Sequence, residues 1–357
     1  MDFDTLLRIG PYALPREEKA ALYTARMTQL TRLHSLRCPP YARLLRALGR
    51  REDETYTAQT VPMLPVSLFK ELKLRSIPEE DIFKTITSSG TSGQAVSKIY
   101  LDAQTAANQQ RVLYHIVSDF IGKNRLAVLI IDSLDVLRDR NKFSARGAGL
   151  LGFSMFASKT CYALNEKMQL RLDEVRRFLE QHEGEPVLLF GFTYIIWKYF
   201  VQALRARGER LNLPQGTLIH GGGWKKLLAE AVAPQTFKAQ VRETLGLTAV
   251  SDYYGMAEQT GCIAMECPCG HLHASIWSDI YIRRPEDFSL CKVGEPGMVE
   301  TLSLLPESYP GHALLTEDMG VLLGEDDCPC GRLGKYFAIT GRIPRAEIRG
   351  CSDTYEN

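Results

Sequence analysis

The residues of this 357-residue chain that could do chemistry lie in a few short stretches. Thr87-Ser88-Ser89-Gly90-Thr91-Ser92-Gly93-Gln94, with Ser97 and Lys98 behind it, sets hydroxyls around two glycines. Glycine lets the backbone turn and approach a ligand closely. Hydroxyls and loop amides can then donate to phosphate oxygens, and Lys98 can add a cation. The run is not the P-loop consensus, which needs four residues between Gly and Gly-Lys-Ser/Thr. Alone, such a Gly/Ser-rich run is by default a flexible loop. Gly221-Gly222-Gly223, followed by Trp224-Lys225-Lys226, would let a flat ring lie against bare backbone or would simply turn tightly. Tyr254-Gly255-Met256-Ala257-Glu258 offers a ring to stack on a base. Its carboxylate could hold Mg²⁺, an ion that commonly takes one or two carboxylates plus phosphate oxygens; the alternative for Glu258 is a solvated surface residue. In Leu315-Thr316-Glu317-Asp318-Met319-Gly320, Asp318 could accept hydrogen bonds from ribose hydroxyls. In Ile339-Thr340-Gly341-Arg342, the planar fork of Arg342 could meet a phosphate or carboxylate.

A second kind of chemistry is written in cysteine. Cys267-Pro268-Cys269-Gly270-His271-Leu272-His273 and Cys328-Pro329-Cys330-Gly331 are two Cys-Pro-Cys-Gly knuckles about sixty residues apart. They suit a closed, tetrahedral, thiolate-rich Zn²⁺ site of structural type, although Cys-x-Cys is tighter than the usual Cys-x₂-Cys. Nine cysteines is an odd count, and the N-terminus lacks the basic-then-apolar order of a signal peptide, which argues against a disulfide framework. Cys38, Cys161, Cys262 and Cys291 read as small core residues. Cys351 stands six residues from the last residue, Asn357.

The elements that must position these groups follow from hydrophobic period and punctuation. Pro15 to Leu36 and Tyr41 to Leu48 read as helices, separated by Cys38-Pro39-Pro40. Pro62 and Pro65 make an extended entry to Val66–Lys70, ahead of the hydroxyl-rich loop. Thr105 to Phe120, Leu172 to Gln181 and Tyr194 to Arg207 read as helices. Leu227 to Leu245 reads as mostly helical, interrupted at Pro234. Leu126–Ile131, Pro186–Phe190 and Thr217–His220 are short continuous apolar runs, the pattern of buried parallel strands. Ala249–Gly255 is a strand-to-turn piece, and Arg146 to Phe156 fits no single element. Alternation of strands and helices predicts an α/β domain with a largely parallel sheet, in which ligands bind beyond the carboxyl ends of the strands. From about Glu266 the chain turns richer in Gly, Pro and Cys, and reads as a β-rich subdomain.

Composition excludes several classes. Hydrophobic content of 45% and charged content of 24% are those of an ordinary globular protein. A net charge of +1 provides no broad field for nucleic acid or an anionic membrane. No apolar run reaches the roughly 18–20 residues that span a bilayer, so a cytoplasmic protein is expected.

Taken in order, the motifs resemble those of the adenylate-forming ligases. Within that superfamily the chain is most similar to the LuxE-type acyl-protein synthetases and next to the phenylacetate-CoA ligases. Ser88 to Gly93 matches the superfamily's phosphate loop. Phe190-Gly191-Phe192 and His220-Gly221-Gly222-Gly223-Trp224-Lys225 look specifically LuxE-like. Tyr254 to Glu258 matches Tyr-Gly-x-Thr/Ser-Glu, with Ala257 in place of the hydroxyl residue. Asp318 falls on the ribose-binding aspartate and Gly341-Arg342 on the Gly-Arg pair near the hinge, where Ile343-Pro344-Arg345 replaces the usual following aspartate. The likeness runs from about Pro62 to the C-terminus.

The resemblance implies an adenylate-forming α/β fold with parallel sheets flanked by helices and a β-rich C-terminal subdomain, the small lid domain and its lysine being absent from a chain ending at Asn357. The implied division is a helical segment 1–60, an α/β core 61–265, a β-rich subdomain 266–345 with the zinc site, and a tail 346–357. The implied activity is ATP- and Mg²⁺-dependent activation of a carboxylic acid, foremost a fatty acid, as acyl-AMP. The acyl group would then pass to a protein thiol and on to an acyl-accepting reductase or carrier protein. Ser88, Ser89, Gly90, Thr91, Ser92 and Gly93 would cradle phosphates. Gly222, Gly223, Tyr254 and Gly255 would border the adenine, Glu258 bind Mg²⁺, Asp318 hold the ribose and Arg342 support the nucleotide. Lys98 or Lys225 would stabilise charge, and Cys351 would accept the acyl group. By likeness to the phenylacetate-CoA ligases, Cys267, His273, Cys328 and Cys330 would hold Zn²⁺, with Cys269 as substitute. Two other readings stay open: an aromatic-acid adenylating enzyme or CoA ligase that does not use Cys351, and a non-catalytic, zinc-stabilised nucleotide-binding subunit.

Overall fold

The computed structural model describes residues 3–88, 96–137, 145–224 and 230–343. The chain opens with helices Phe3–Leu6, Arg16–Arg37 and Pro39–Ala47. The strands then follow as β1 (Leu64–Pro65), β2 (Lys84–Thr87), β3 (Lys98–Leu101), β4 (Leu126–Ser133), β5 (Ala157–Leu164), β6 (Val187–Phe192), β7 (Gly216–Gly221) and β8 (Ala249–Tyr254). The last third adds β9 (Ala264–Glu266), β10 (Leu272–His273), β11 (Ser278–Arg283), β12 (Pro296–Ser303), β13 (Ala313–Glu325) and β14 (Lys335–Arg342). Two compact units emerge, and they are not consecutive in sequence. Among the described residues one gathers 3–88, 96–119 and 255–343, and the other 120–137, 145–224 and 230–254.

The second unit is the parallel one. Its strands run in the order β8-β7-β6-β4-β5, every pair parallel. All six residues of β6 are buried, as are seven of the eight in β4, which is why both read as unbroken apolar runs. Helix Leu172–Glu180 buries Val175 and Phe178 and turns its charges outward, the one-faced pattern expected of a helix lying on a sheet. Three local readings change here. Arg146 to Phe156, which fits no single element by pattern, overlaps helix Ala145–Ser154, whose inner face buries Arg146, Gly147, Leu150 and Phe153. Arg146 has no place in an apolar stripe; it is buried because its Nε donates to Asp132 Oδ2 at 2.9 Å, with both side chains sealed from water. Strand β5 carries no apolar signature in the sequence because its first half, on the edge of the sheet, is polar and open. Within Leu227 to Leu245 the described helix is Pro234–Leu245, with Pro234 in its first turn, where a missing N–H costs nothing; Leu227, Leu228 and Ala229 lie outside the described residues.

The first unit is built on an antiparallel sheet in the order β11-β12-β13-β14-β10-β9, with β1 parallel to part of β13. The hairpin β2-β3 stands apart from it. Helix Arg16–Arg37 and, as far as Asp119, helix Ala103–Ile121 belong to this unit and bury Tyr23, Met27, Leu30, Val112 and Ile116 completely. Among the described residues no helix is long and apolar enough to cross a membrane.

Candidate active site and metal knuckle

The hydroxyl-rich stretch lies in sequence between β2 and β3, which pair with Thr87 facing Lys98. Its two described ends are tied by a reciprocal pair: Ser97 N–H donates to Ser88 Oγ at 2.9 Å, and Ser88 N–H donates to the Ser97 carbonyl at 3.1 Å. Lys98 is exposed next to that pair. Ser89, Gly90, Thr91, Ser92 and Gly93 lie outside the described residues, as do Lys225 and Cys351.

The same unit carries Gly255, Glu258, Asp318 and Arg342. Glu258 sits on a one-turn 3₁₀ helix, Ala257–Gln259, just past β8. Its side chain is buried, not solvated. Burial pushes its carboxyl above the usual glutamate range, and the neighbouring charges of Glu317 and Asp318 push the same way. Asp318 and Arg342 are directly opposite on β13 and β14. Arg342 Nε donates to Asp318 Oδ1 at 3.1 Å and its Nη2 reaches Glu317 Oε2 at 3.4 Å. The motif residues Glu258, Asp318 and Arg342 therefore share one electrostatic neighbourhood although the sequence spreads them over more than eighty positions. Glu317 joins them; its adjacency to Asp318 in Thr316-Glu317-Asp318 is the one sequence signal that points to it. Carboxylate oxygens are the donors that Mg²⁺ takes, so the residues present fit that ion.

In the parallel unit the triple glycine leaves the carboxyl end of β7. Gly222 has φ +76°, a conformation that glycine adopts without penalty. The turn is held from below. Thr193 Oγ1 lies 3.0 Å from His220 Nδ1 and 3.2 Å from the Gly221 carbonyl. Because the carbonyl can only accept, the hydroxyl proton goes to Gly221 and His220 Nδ1–H donates to Thr193. Burial holds His220 neutral, its pKa lowered to about 3. The Tyr253 ring covers Gly221 so closely that a β-carbon there would lie 2.4 Å from it. Tyr254 is half-buried at the end of β8, and Gly223 is exposed.

The metal residues gather in the first unit. Ligand atoms of Cys267, His273, Cys328 and Cys330 all lie within 4.8 Å of one another. Cys267 and Cys328 are 4.0 Å apart at sulfur, and Cys330 Sγ is 3.4 Å from His273 Nε2. A tetrahedral Zn²⁺ with the usual bond lengths would set these edges at about 3.8 and ~3.6 Å. The two knuckles are built alike: Gly270 N–H donates to the Cys267 carbonyl and Gly331 N–H to the Cys328 carbonyl, both at 2.9 Å. His273 is fully buried, and among the described residues its Nδ1 meets no hydrogen-bond partner. His271 Nδ1 lies 3.4 Å from Cys328 Sγ and its ring stacks on Tyr336, an outer-shell position. Cys269 is exposed and stands outside the group. The donor set fits a structural zinc.

Comparison with known proteins bears on the whole chain. The family model for acyl-protein synthetase, LuxE, matches residues 2–357. A long-chain-fatty-acid–luciferin-component ligase of Aliivibrio fischeri is 23% identical over 319 residues, covering 85% of this chain and 80% of that protein. Its counterpart in Vibrio harveyi is 22% identical over 305 residues, covering 82% and 76%. Among solved structures, an open conformation of 2-hydroxyisobutyryl-CoA ligase in complex with 2-HIB-AMP and CoA superposes with a TM-score of 0.69 at 15% identity, over 93% of this chain and 76% of that one. At that identity the likeness establishes the fold, that of an adenylate-forming ligase.

Proposed function

Since the chain belongs to the LuxE acyl-protein synthetase family, we propose that it activates a fatty acid with ATP and passes the acyl group to a protein thiol. In the first step a carboxylate oxygen attacks the α-phosphorus of ATP, the bond to pyrophosphate breaks, and acyl-AMP forms. In the second, a thiolate attacks the acyl carbonyl and AMP leaves, giving a thioester. The observation that carries this reading is the convergence of Glu258, Asp318 and Arg342 in one unit.

Each residue has a definite task. Glu258 would hold Mg²⁺, which when bound supplies positive charge to the phosphates. Asp318 accepts from ribose hydroxyls, and Arg342 orients it by a direct hydrogen bond. Ser88 to Gly93 and Lys98 take the phosphates; Gly222, Gly223, Tyr254 and Gly255 take the adenine. Cys351 is the acyl acceptor, and an acyl-accepting reductase or carrier protein is the onward partner. Cys267, His273, Cys328 and Cys330 would hold a structural Zn²⁺.

Acid-dependent ATP–pyrophosphate exchange, run over short to long fatty acids and several aromatic acids, tests the first step. Exchange with fatty acids, abolished in Glu258→Ala, is expected. ATP binding without exchange on any acid would replace this reading with the non-catalytic one, and exchange on aromatic acids alone would replace the fatty acid. For the second step, Cys351→Ala should still exchange pyrophosphate while failing to retain hydroxylamine-labile radiolabelled acyl group. Normal acyl retention would remove Cys351 from the pathway.

A further inference from the structure

A single 3₁₀ turn has too few internal hydrogen bonds to fix its own orientation, yet Ala257–Gln259 carries the one buried carboxylate of the candidate site. The hold comes from outside the turn. Tyr309 Oη donates to the Glu258 carbonyl at 2.8 Å. The Tyr309 ring is fully buried and packs edge-on against Phe69 at 6.1 Å, so the hydroxyl has a rigid mount. Gln259 Nε2 donates to the Gly311 carbonyl at 2.8 Å and to the Thr301 carbonyl at 3.1 Å. The peptide joining Glu258 to Gln259 is thus pinned at its oxygen by one side chain and beyond its nitrogen by another. The chain approaches closely on both flanks: a β-carbon at Gly311 would lie 2.2 Å from the Tyr309 ring and 3.0 Å from the Glu258 carbonyl oxygen. One at Gly261 would lie 2.6 Å from the Gln109 carbonyl.

We propose that Tyr309, together with Gln259, is a positioning residue that sets how tightly the Glu258 carboxylate binds a divalent cation. The proposal rests on the assignment of Glu258 to the cation. Fixing that peptide plane fixes ψ of Glu258 and hence the direction in which its side chain leaves the backbone. A carboxylate held in one direction loses little freedom on binding an ion, and one on a loose turn loses more.

The test is Mn²⁺ binding to the full chain with a non-hydrolysable ATP analogue, followed by the EPR signal of free Mn²⁺, alongside the Mg²⁺ dependence of ATP–pyrophosphate exchange. Tyr309→Phe keeps the ring and removes only the donor. It should weaken Mn²⁺ binding about three- to ten-fold, the size of one hydrogen bond, and raise half-saturation by Mg²⁺ by more than it lowers the maximal rate. Gln259→Met releases the same peptide from the other side and should act in the same direction. Tyr23→Phe is the control: Tyr23 is equally buried and reaches the Ile276 carbonyl at 3.5 Å, away from the turn. Unchanged Mn²⁺ affinity in folded Tyr309→Phe and Gln259→Met, or an equal loss in Tyr23→Phe, overturns the proposal. Wild-type Mn²⁺ affinity in Glu258→Gln would overturn the assignment beneath it, a separate and recognisable failure.

Discussion

Burial decides what Glu258 can do. A carboxyl pushed upward by desolvation, and further by Glu317 and Asp318, is protonated at a pH where an exposed glutamate is already charged. Only the charged form binds a cation, so adenylation should fail on the acid side at a pH above the ordinary glutamate range. Glu317→Gln removes one of the two charges that oppose ionisation of Glu258. The acid limb of kcat/KM for exchange should then move to lower pH. A limb that stays in place or moves upward would show that Glu258 does not govern it. At this scale the sequence was informative wherever chemistry follows residue type: Glu258, Asp318, Arg342 and the four metal candidates could be named from motifs. Residues that act through the backbone could not. Tyr309 meets the Glu258 carbonyl across 51 positions, and nothing local marks a tyrosine as a donor to a distant peptide. Arg146 was illegible for a different reason: its burial depends on the Asp132 carboxylate that folding brings to it.

Among the elements, the apolar runs β4, β6 and β7 were readable because a strand covered on both faces needs no alternation. The polar edge strand β5 and the glycine-rich helix Ala145–Ser154 were not, because their identity is set by what they pack on. The two knuckles were readable in composition, and it was the likeness to the phenylacetate-CoA ligases, not the spacing, that singled out the four residues the fold gathers. Both turns close by the same hydrogen bond, from the Gly N–H to the Cys carbonyl, yet they present different sulfurs: Cys267 alone from the first and both Cys328 and Cys330 from the second. His273, on β10, completes the group because antiparallel pairing sets it against Tyr336 on β14. Zinc analysis of the purified chain should therefore find one ion per chain. Cys328→Ser should lose it and melt at least about 5 °C lower, as a closed structural site contributes directly to folding. Cys269→Ser should keep both the ion and the melting temperature. Loss of zinc in Cys269→Ser, or its retention in Cys328→Ser, would redraw the ligand set.

For the molecule as a whole, contact between distant segments decides what the local pattern leaves open. Residues 96–119 and 255–343 join the N-terminal segment in one unit, an arrangement with no signature in period or composition. Long-range packing also gives the fold a pH dependence that the sequence does not advertise, through its buried imidazoles. His34 is fully buried; its Nε2–H donates to the Pro306 carbonyl at 3.0 Å, which leaves Nδ1 to accept from Ser76 Oγ–H at 2.8 Å. The neutral ring satisfies both partners, whereas a second proton would break the Ser76 bond. Burial lowers the His34 pKa to about 3, and His312, stacked on it at 5.1 Å, is lowered by burial and by the charge His34 would carry. A histidine near 6.5 when unfolded and near 3 when folded gives stability that is fully present above about pH 6.5 and is lost as pH falls towards 3. The slope reaches about 1.4 kcal/mol per pH unit for each such group. His34→Gln can still donate and accept but cannot take up the proton. Its deficit in unfolding free energy against wild type, measured by urea denaturation, should be largest near neutrality and shrink with that slope below pH 6. Parallel stability curves for the two proteins across pH 4 to 7 would mean that His34 is not what the folded state must keep neutral.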